Sequence, residues 1–269
     1  MSIISKVIRK LKAEGEGALI GYIMCGDPHP KHTPAIAEAL IRGGVDVLEL
    51  GLPFSDPIAD GPTIQAASTR ALKAGTTAKV VFETAKIIGK EYDVPTVVMT
   101  YFNPVFKMGL DKFFEAASSC DVNGVIIPDL PLEEADDYRK AANAASIDTI
   151  FLAAPSTTNE RLSRIAECSR GFLYLVSHFG VTGVKGAVEE STLRLIRRVK
   201  PFMGERLPLA VGFGISQPEH VKCIIDAGAD GVIVGSAFVN IVAKNQGNIE
   251  ATVQDLSEVA QRLKEATYE

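Results

Sequence analysis

Eight short runs of apolar, mostly β-branched residues punctuate the chain, at 19–25, 45–50, 96–101, 124–128, 149–153, 172–177, 209–212 and 231–235. Most lack strict alternation with polar residues, the mark of strands covered on both faces, as in a parallel sheet. Between them apolar residues recur at helical spacing, over 33–41, 63–74, 78–89, 111–118, 133–142, 160–168, 191–199 and 218–226, with 253–266 at the end. Strand then helix, eight times over, predicts an α/β barrel or a doubly wound sheet. A recurring corner favours the barrel. Gly44-Val45-Asp46, Asp121-Val122-Asn123 and Ala229-Asp230-Gly231 each turn from a helix end into a strand with Asp or Asn at the bend, residues that tolerate the left-handed backbone such turns need. The expected fold is a (β/α)8 barrel. No linker or shift in composition divides the chain, so residues 1–269 read as one domain.

The first helix is signalled differently. Lys6, Arg9, Lys10 and Lys12 are broken by apolar residues at helical spacing, which predicts a short amphipathic helix capping the barrel. Net charge is −5, from 28 Lys and Arg against 33 Asp and Glu, and offers no basic face to a nucleic-acid backbone. No apolar run approaches the ~20 residues that span a bilayer. Charges recur through the first twenty residues, which argues against a signal peptide. Cys25, Cys120, Cys168 and Cys223 lie far apart with no C-x-x-C pair, so the expectation is free, mostly buried thiols and a cytoplasmic protein.

Candidate chemistry begins at the second run. Glu49 stands among Val47, Leu48 and Leu50, where a charge costs several kcal/mol unless something rewards it. A carboxyl in such a place has a raised pKa, which suits proton transfer near neutrality. Eleven residues later Asp60 ends a loop too rich in Pro and Gly for strand or helix. Two carboxyls in unlike surroundings can take different roles. The plainer reading of Glu49 is a strand-end residue paired with a Lys or Arg. For Asp60 it is a helix N-cap, although Pro62 is the natural first helical residue and makes Gly61 the cap. Asp56, between Ser55 and Pro57, reads as a turn-former.

Gly212-Phe213-Gly214 and Gly235-Ser236 follow the seventh and eighth runs, where barrels of this kind hold phosphate on backbone N–H groups and a short extra helix. Tight turns also use glycine. Gly180-Val181-Thr182-Gly183 has the composition of a mobile lid. The four histidines form no ligand cluster: His29 and His32 flank Pro30, His220 falls on an expected surface helix, and His178 follows the sixth run. No metal site, Walker loop or dinucleotide fingerprint is present.

Several stretches together resemble one family over nearly the whole chain, the tryptophan synthase alpha subunits. They are Leu48–Gly51, Pro53–Gln65, Tyr101-Phe102-Asn103-Pro104, Pro128-Asp129-Leu130-Pro131, Ala154–Thr157, Gly180–Gly183, Gly212–Ser216 and Gly235-Ser236-Ala237. Pro53–Gln65 is the most specific. The resemblance implies a lyase that splits indole-3-glycerol phosphate into indole and glyceraldehyde 3-phosphate by a retro-aldol route. It implies that Glu49 handles the protons of the cleavage and that Asp60 accepts the indole N–H. It further implies an indole pocket at Tyr22, Ile64 and Phe213, contacts near the substrate and closing loop at Tyr174 and Thr182, and a phosphate held by Gly183, Gly214, Gly235 and Ser236. No metal or cofactor is implied for this chain. Pyridoxal phosphate is expected only in a beta-subunit partner, within an alpha-beta-beta-alpha complex that the loops after strands two and six meet. His178 stands where many members carry Arg, and Tyr22 where Phe is common. A stand-alone indole-3-glycerol phosphate lyase, a sugar-phosphate isomerase barrel and a non-catalytic regulatory subunit are the alternatives.

Overall fold

The computed structural model describes residues 2–177, 188, 190–212 and 214–268. Among them nine strands form one sheet: β1 (Ala18–Met24), β2 (Val47–Gly51), β3 (Thr96–Met99), β4 (Val122–Ile126), β5 (Asp148–Ile150), β6 (Leu152–Ala153), β7 (Leu173–Val176), β8 (Leu209–Gly212) and β9 (Gly231–Val234). Neighbours run β5-β4-β3-β2-β1-β9-β8-β7-β6, and every pairing between strands is parallel. The two ends of that order, β5 and β6, are separated by Phe151 alone. The chain itself therefore closes the ring, and the fold is the (β/α)8 barrel.

The fifth apolar run differs from its expected form as one strand over 149–153. It changes partners at Phe151: β5 bonds only to β4, and β6 only to β7. The Phe151 carbonyl at the break accepts the Tyr174 N–H at 3.1 Å.

Helices fill the intervals within a few residues of their expected places. The interval from 133 opens instead with a 3-10 turn, Leu132–Glu134, before the helix Asp136–Ala144. One helix was not expected, Phe102–Met108. Its Pro104 falls in the first turn, where a missing N–H breaks no helical bond. Its end at Gly109 has φ 89°, a backbone that favours glycine.

Side-chain alternation sorts each strand into an inner and an outer face. Ala18, Ile20, Val47, Val97, Ile126, Ile150, Ala210 and Ile233 fill the barrel interior, while Leu19, Leu48, Leu50, Val98 and Val125 pack outward against the helices. The N-terminal helix Ile3–Ala13 corks the barrel bottom with Ile4 and Ile8, both in the interior cluster. Gly124 makes room for it: a Cβ there would lie 2.9 Å from Ile4 Cδ1. Ser5 Oγ donates to the Gly171 carbonyl at 2.6 Å, and Lys12 meets Asp230 at 2.7 Å. The last helix, Ile249–Glu265, is tied back through Lys264 to Asp46 at 2.9 Å and Glu16 at 3.1 Å.

Two expectations are corrected here. His220 is buried, because the helix Pro218–Asp226 turns it inward with Val221 and Ile224. Of the four free cysteines only Cys25 is buried, Cys120 and Cys168 are half-buried, and Cys223 is exposed.

Candidate active site

Glu49 is the third residue of β2, and the strand's alternation decides where it points. Leu48 and Leu50 pack outward and Val47 packs inward, so Glu49 faces the barrel axis near the C-terminal end of the strand. It is 1% exposed. Its Oε2 is buried without a hydrogen-bond partner. Burial foremost, then the charge of Asp60, pushes the carboxyl up to about 8. Among the described residues no cation contributes to that balance, which leaves the ion-pair reading of Glu49 without a partner.

Asp60 reaches the same space from a loop that is fastened along its length. Leu52 N–H donates to the Met99 carbonyl at 2.9 Å. Ser68 Oγ, on the helix Pro62–Lys73, accepts from Phe54 N–H at 3.0 Å and donates to the Phe54 carbonyl at 2.8 Å. The Tyr101 hydroxyl accepts from Ala59 N–H at 3.0 Å, and Gln65 Nε2 donates to the Asp60 carbonyl at 2.8 Å. The helix starts at Pro62 with Gly61 as its cap, which leaves the Asp60 side chain to other work. Half-buried, its carboxyl is pushed up to about 6 by desolvation, with hydrogen bonding to Tyr101 pulling the other way.

Two further phenols complete the centre. Tyr22 on β1 is the register partner of Glu49, 5% exposed, with Met24 Sδ at 4.0 Å as its hydroxyl's contact. Its ring lies over Gly51, which has no room for a Cβ beneath that hydroxyl. Tyr174 on β7 lies likewise over Gly212, where a Cβ would come 2.5 Å from its hydroxyl. Burial and the nearby carboxylates drive Tyr22 and Tyr174 well above the ordinary phenol range, so both stay neutral. Ile64 packs beside Tyr22, Met24 and Val239, forming an apolar wall.

The glycine-rich turns stand at the same end of the barrel. Gly214, just past β8, has φ +75°. Gly235 follows β9 and caps the nine-residue helix Ser236–Lys244 with no side-chain bond to its first amides. Of the other expected site residues, Thr182, Gly183 and Phe213, together with His178 and the Gly180–Gly183 stretch, lie outside the described residues.

Tyr101 is the residue that reading the sequence missed. Its signal was its place, at the last position of the third apolar run and so at the catalytic end of a barrel strand. Among the described residues no group of three or more His, Cys, Asp or Glu is arranged to hold a metal ion, and no helix is long and apolar enough to cross a membrane. What the centre offers is one carboxyl that keeps its proton at neutral pH, beside another that has mostly lost it, in an apolar, phenol-lined space.

A family profile described as Tryptophan synthase alpha chain matches residues 8–268. A relative from Methanosarcina acetivorans, a tryptophan synthase alpha chain, is 49% identical over 256 residues, covering 94% of this chain and 92% of its own. Among solved structures, the tryptophan synthase alpha subunit of Legionella pneumophila superposes with a TM-score of 0.90 at 34% identity, over 99% of this chain and 98% of that one. A chain of the tryptophan synthase complex from Pyrococcus furiosus gives 0.84 at 38% identity, over 93% and 98%.

Proposed function

The chain belongs to the tryptophan synthase alpha chain family, lyases that cleave indole-3-glycerol phosphate in tryptophan biosynthesis, and from that premise we propose how its own residues divide the reaction. Glu49 delivers its proton to C3 of the indole ring. The ring becomes an indolenine cation, and the bond from C3 to the glycerol chain is weakened. Glu49, now a carboxylate, takes the proton of the hydroxyl on the neighbouring carbon. That carbon becomes the aldehyde of glyceraldehyde 3-phosphate, the bonding pair returns to the ring, and neutral indole leaves. Glu49 ends the cycle protonated, as it began.

Asp60 accepts the indole N–H and balances the positive charge that grows on nitrogen, a task for an ionised group fixed beforehand. Carboxyls at about 8 and about 6 supply an acid and an anion together at neutral pH. The observation that carries this reading is Glu49 itself, closed to solvent on an apolar wall with an unpartnered oxygen. A structural carboxylate has no reason to tolerate that place.

Tyr22, Ile64 and Phe213 wall the indole, with Tyr174 and Thr182 beside the substrate. Backbone N–H groups of Gly183, Gly214, Gly235 and Ser236 hold the phosphate, a reading supported by the unclaimed first-turn amides behind Gly235. The chemistry so assigned asks nothing of a metal or cofactor in this chain. A beta subunit carrying pyridoxal phosphate receives the indole, a partnership supported by the likeness to a chain of the Pyrococcus furiosus complex. The 269 residues act as one domain.

The test follows indole release from indole-3-glycerol phosphate by the purified chain, first alone and then with a beta subunit and serine. Slow release that rises steeply with the partner is the expected result. Fast release by the chain alone would make it a stand-alone lyase. No release in either state would overturn the reaction.

A further inference from the structure

Tyr101 is held more tightly than an aromatic filler needs to be. Its backbone is set by the C-terminal end of neighbouring β4 and the turn beyond it: Thr100 N–H donates to the Ile126 carbonyl at 3.0 Å, and Phe102 N–H to Asp129 Oδ1 at 2.9 Å. Its ring, 3% exposed, stacks on Phe54 with centroids 5.4 Å apart at 29°. Its hydroxyl accepts the Ala59 N–H at 3.0 Å. A phenol has one proton to give and lone pairs to receive. With the Ala59 amide on the oxygen, the proton is left for the next group along the loop, the Asp60 carboxylate, whose acidity the hydroxyl supports.

We propose that Tyr101 is a positioning residue for the cleavage: it pins the loop at Phe54 and Ala59 and gives its hydroxyl proton to Asp60, so that this carboxylate stays anionic and aimed at the indole N–H. The proposal rests on the reading of Asp60 as the acceptor of that N–H. Tyr101 touches no reacting atom and acts through Asp60 alone. The groups that face Asp60 and its partner make such a donor necessary. Glu49 stands opposite on β2, Tyr22 on β1 and Tyr174 on β7, with Asp129 beyond β4 beside Tyr101. Among the described residues none of them is a cation. Burial pushes Asp60 towards its neutral form, and the Tyr101 hydroxyl is what opposes it.

Tyr101→Phe keeps the ring and its stack and deletes only the hydroxyl. The pH profile of indole release is measured for the whole chain and for this variant. With the hydrogen bond gone, the acidic limb moves up by about one pH unit, the displacement typical of one bond to a charged group. Turnover then falls about tenfold on the acidic side and recovers as pH rises, with KM little changed. An acidic limb that stays in place, whether turnover is unchanged or uniformly lowered, overturns the proposal. Direct titration of the Asp60 carboxyl carbon by NMR, in Glu49→Gln with and without Tyr101→Phe, decides it independently of turnover. An upward shift supports the proposal, and no shift overturns it. If the unmodified chain releases no indole, it is the reading of the reaction that fails, and the titration still decides whether Tyr101 governs Asp60.

Discussion

Tyr22 and Glu49 stand in register on adjacent strands and face the same interior, 5% and 1% exposed. A phenol beside a carboxyl lowers the local polarity without supplying a cation. Glu49 helps to keep the phenol uncharged at neutral pH, and burial does the same for Glu49. The catalytic end of the barrel is thus a place where protons are retained, broken by a single acid that lets go.

Turnover should accordingly rise and fall with pH. Cleavage needs Asp60 ionised, so activity grows as pH climbs through about 6. It also needs Glu49 protonated, so activity declines above about 8. The profile of kcat/KM is a bell whose apparent limbs belong to the pair. Activity still climbing at pH 9 would remove Glu49 from the role of acid.

Glu49→Gln keeps shape but carries no proton to deliver. It should lower kcat at least a hundredfold while substrate binding survives. The same change should stabilise the fold at alkaline pH. The folded chain holds the Glu49 proton up to about 8, while the unfolded chain releases it near the ordinary carboxyl value of 4.5. Between those values the unfolded state binds fewer protons, so stability falls as pH rises. The variant escapes that loss, matching the parent near pH 4.5 and exceeding it by on the order of 5 kcal/mol at pH 8. Denaturant melts at the two pH values measure the gap, and an equal gap at both refutes the shift.

Asp60→Asn leaves a neutral amide facing the ring nitrogen. If Asp60 steadies the developing cation, kcat drops about a hundred- to a thousandfold, as when a single preorganised partner of the transition state is lost. Steady-state kinetics separate the cases, since a rise in KM with kcat intact would reduce Asp60 to a binding group.

Arg70, on the helix Pro62–Lys73, grips Asp27 with two hydrogen bonds of 2.7 Å each, tying that helix to the loop after β1. Asp27 is 3% exposed. Arg70→Ala strands its charge and should destabilise the fold by about 3 kcal/mol. The double change Asp27→Asn with Arg70→Ala should cost less than Arg70→Ala alone. Thermal or denaturant unfolding of Arg70→Ala, Asp27→Asn and the double variant gives the comparison, and simple additivity would mean that the pair does not act as a unit.

The repeat of strand and helix was legible in the sequence because parallel strands covered on both faces leave unbroken apolar runs. Glu49 was legible for the same reason, as the charge that does not belong in such a run. The break at Phe151 was not. Hydropathy records which residues are buried and cannot record which neighbour a strand bonds to. The helix Phe102–Met108 was hidden behind Pro104 and Gly109, which punctuate a sequence even where a first turn and a helix end absorb them. Tyr101 was hidden by distance along the chain. Its role depends on an amide 42 residues away that only the barrel brings to it. His220 misled because one polar residue on an amphipathic helix reads as solvent-facing, yet its neighbours Val221 and Ile224 carry it inward.

The cork at the barrel bottom sets an order on biosynthesis. Helix Ile3–Ala13 leaves the ribosome first, but Ser5 waits for a carbonyl 166 residues downstream and Lys12 for a carboxylate 218 residues downstream. At ordinary rates of translation that wait lasts roughly 10–45 s. Until then Ile4 and Ile8 ride on the nascent chain with no cavity to enter. The segment made first is seated among the last, and a chain stalled short of Asp230 lacks the strand that joins β1 to β8, so the ring stays open and the apolar plug stays exposed.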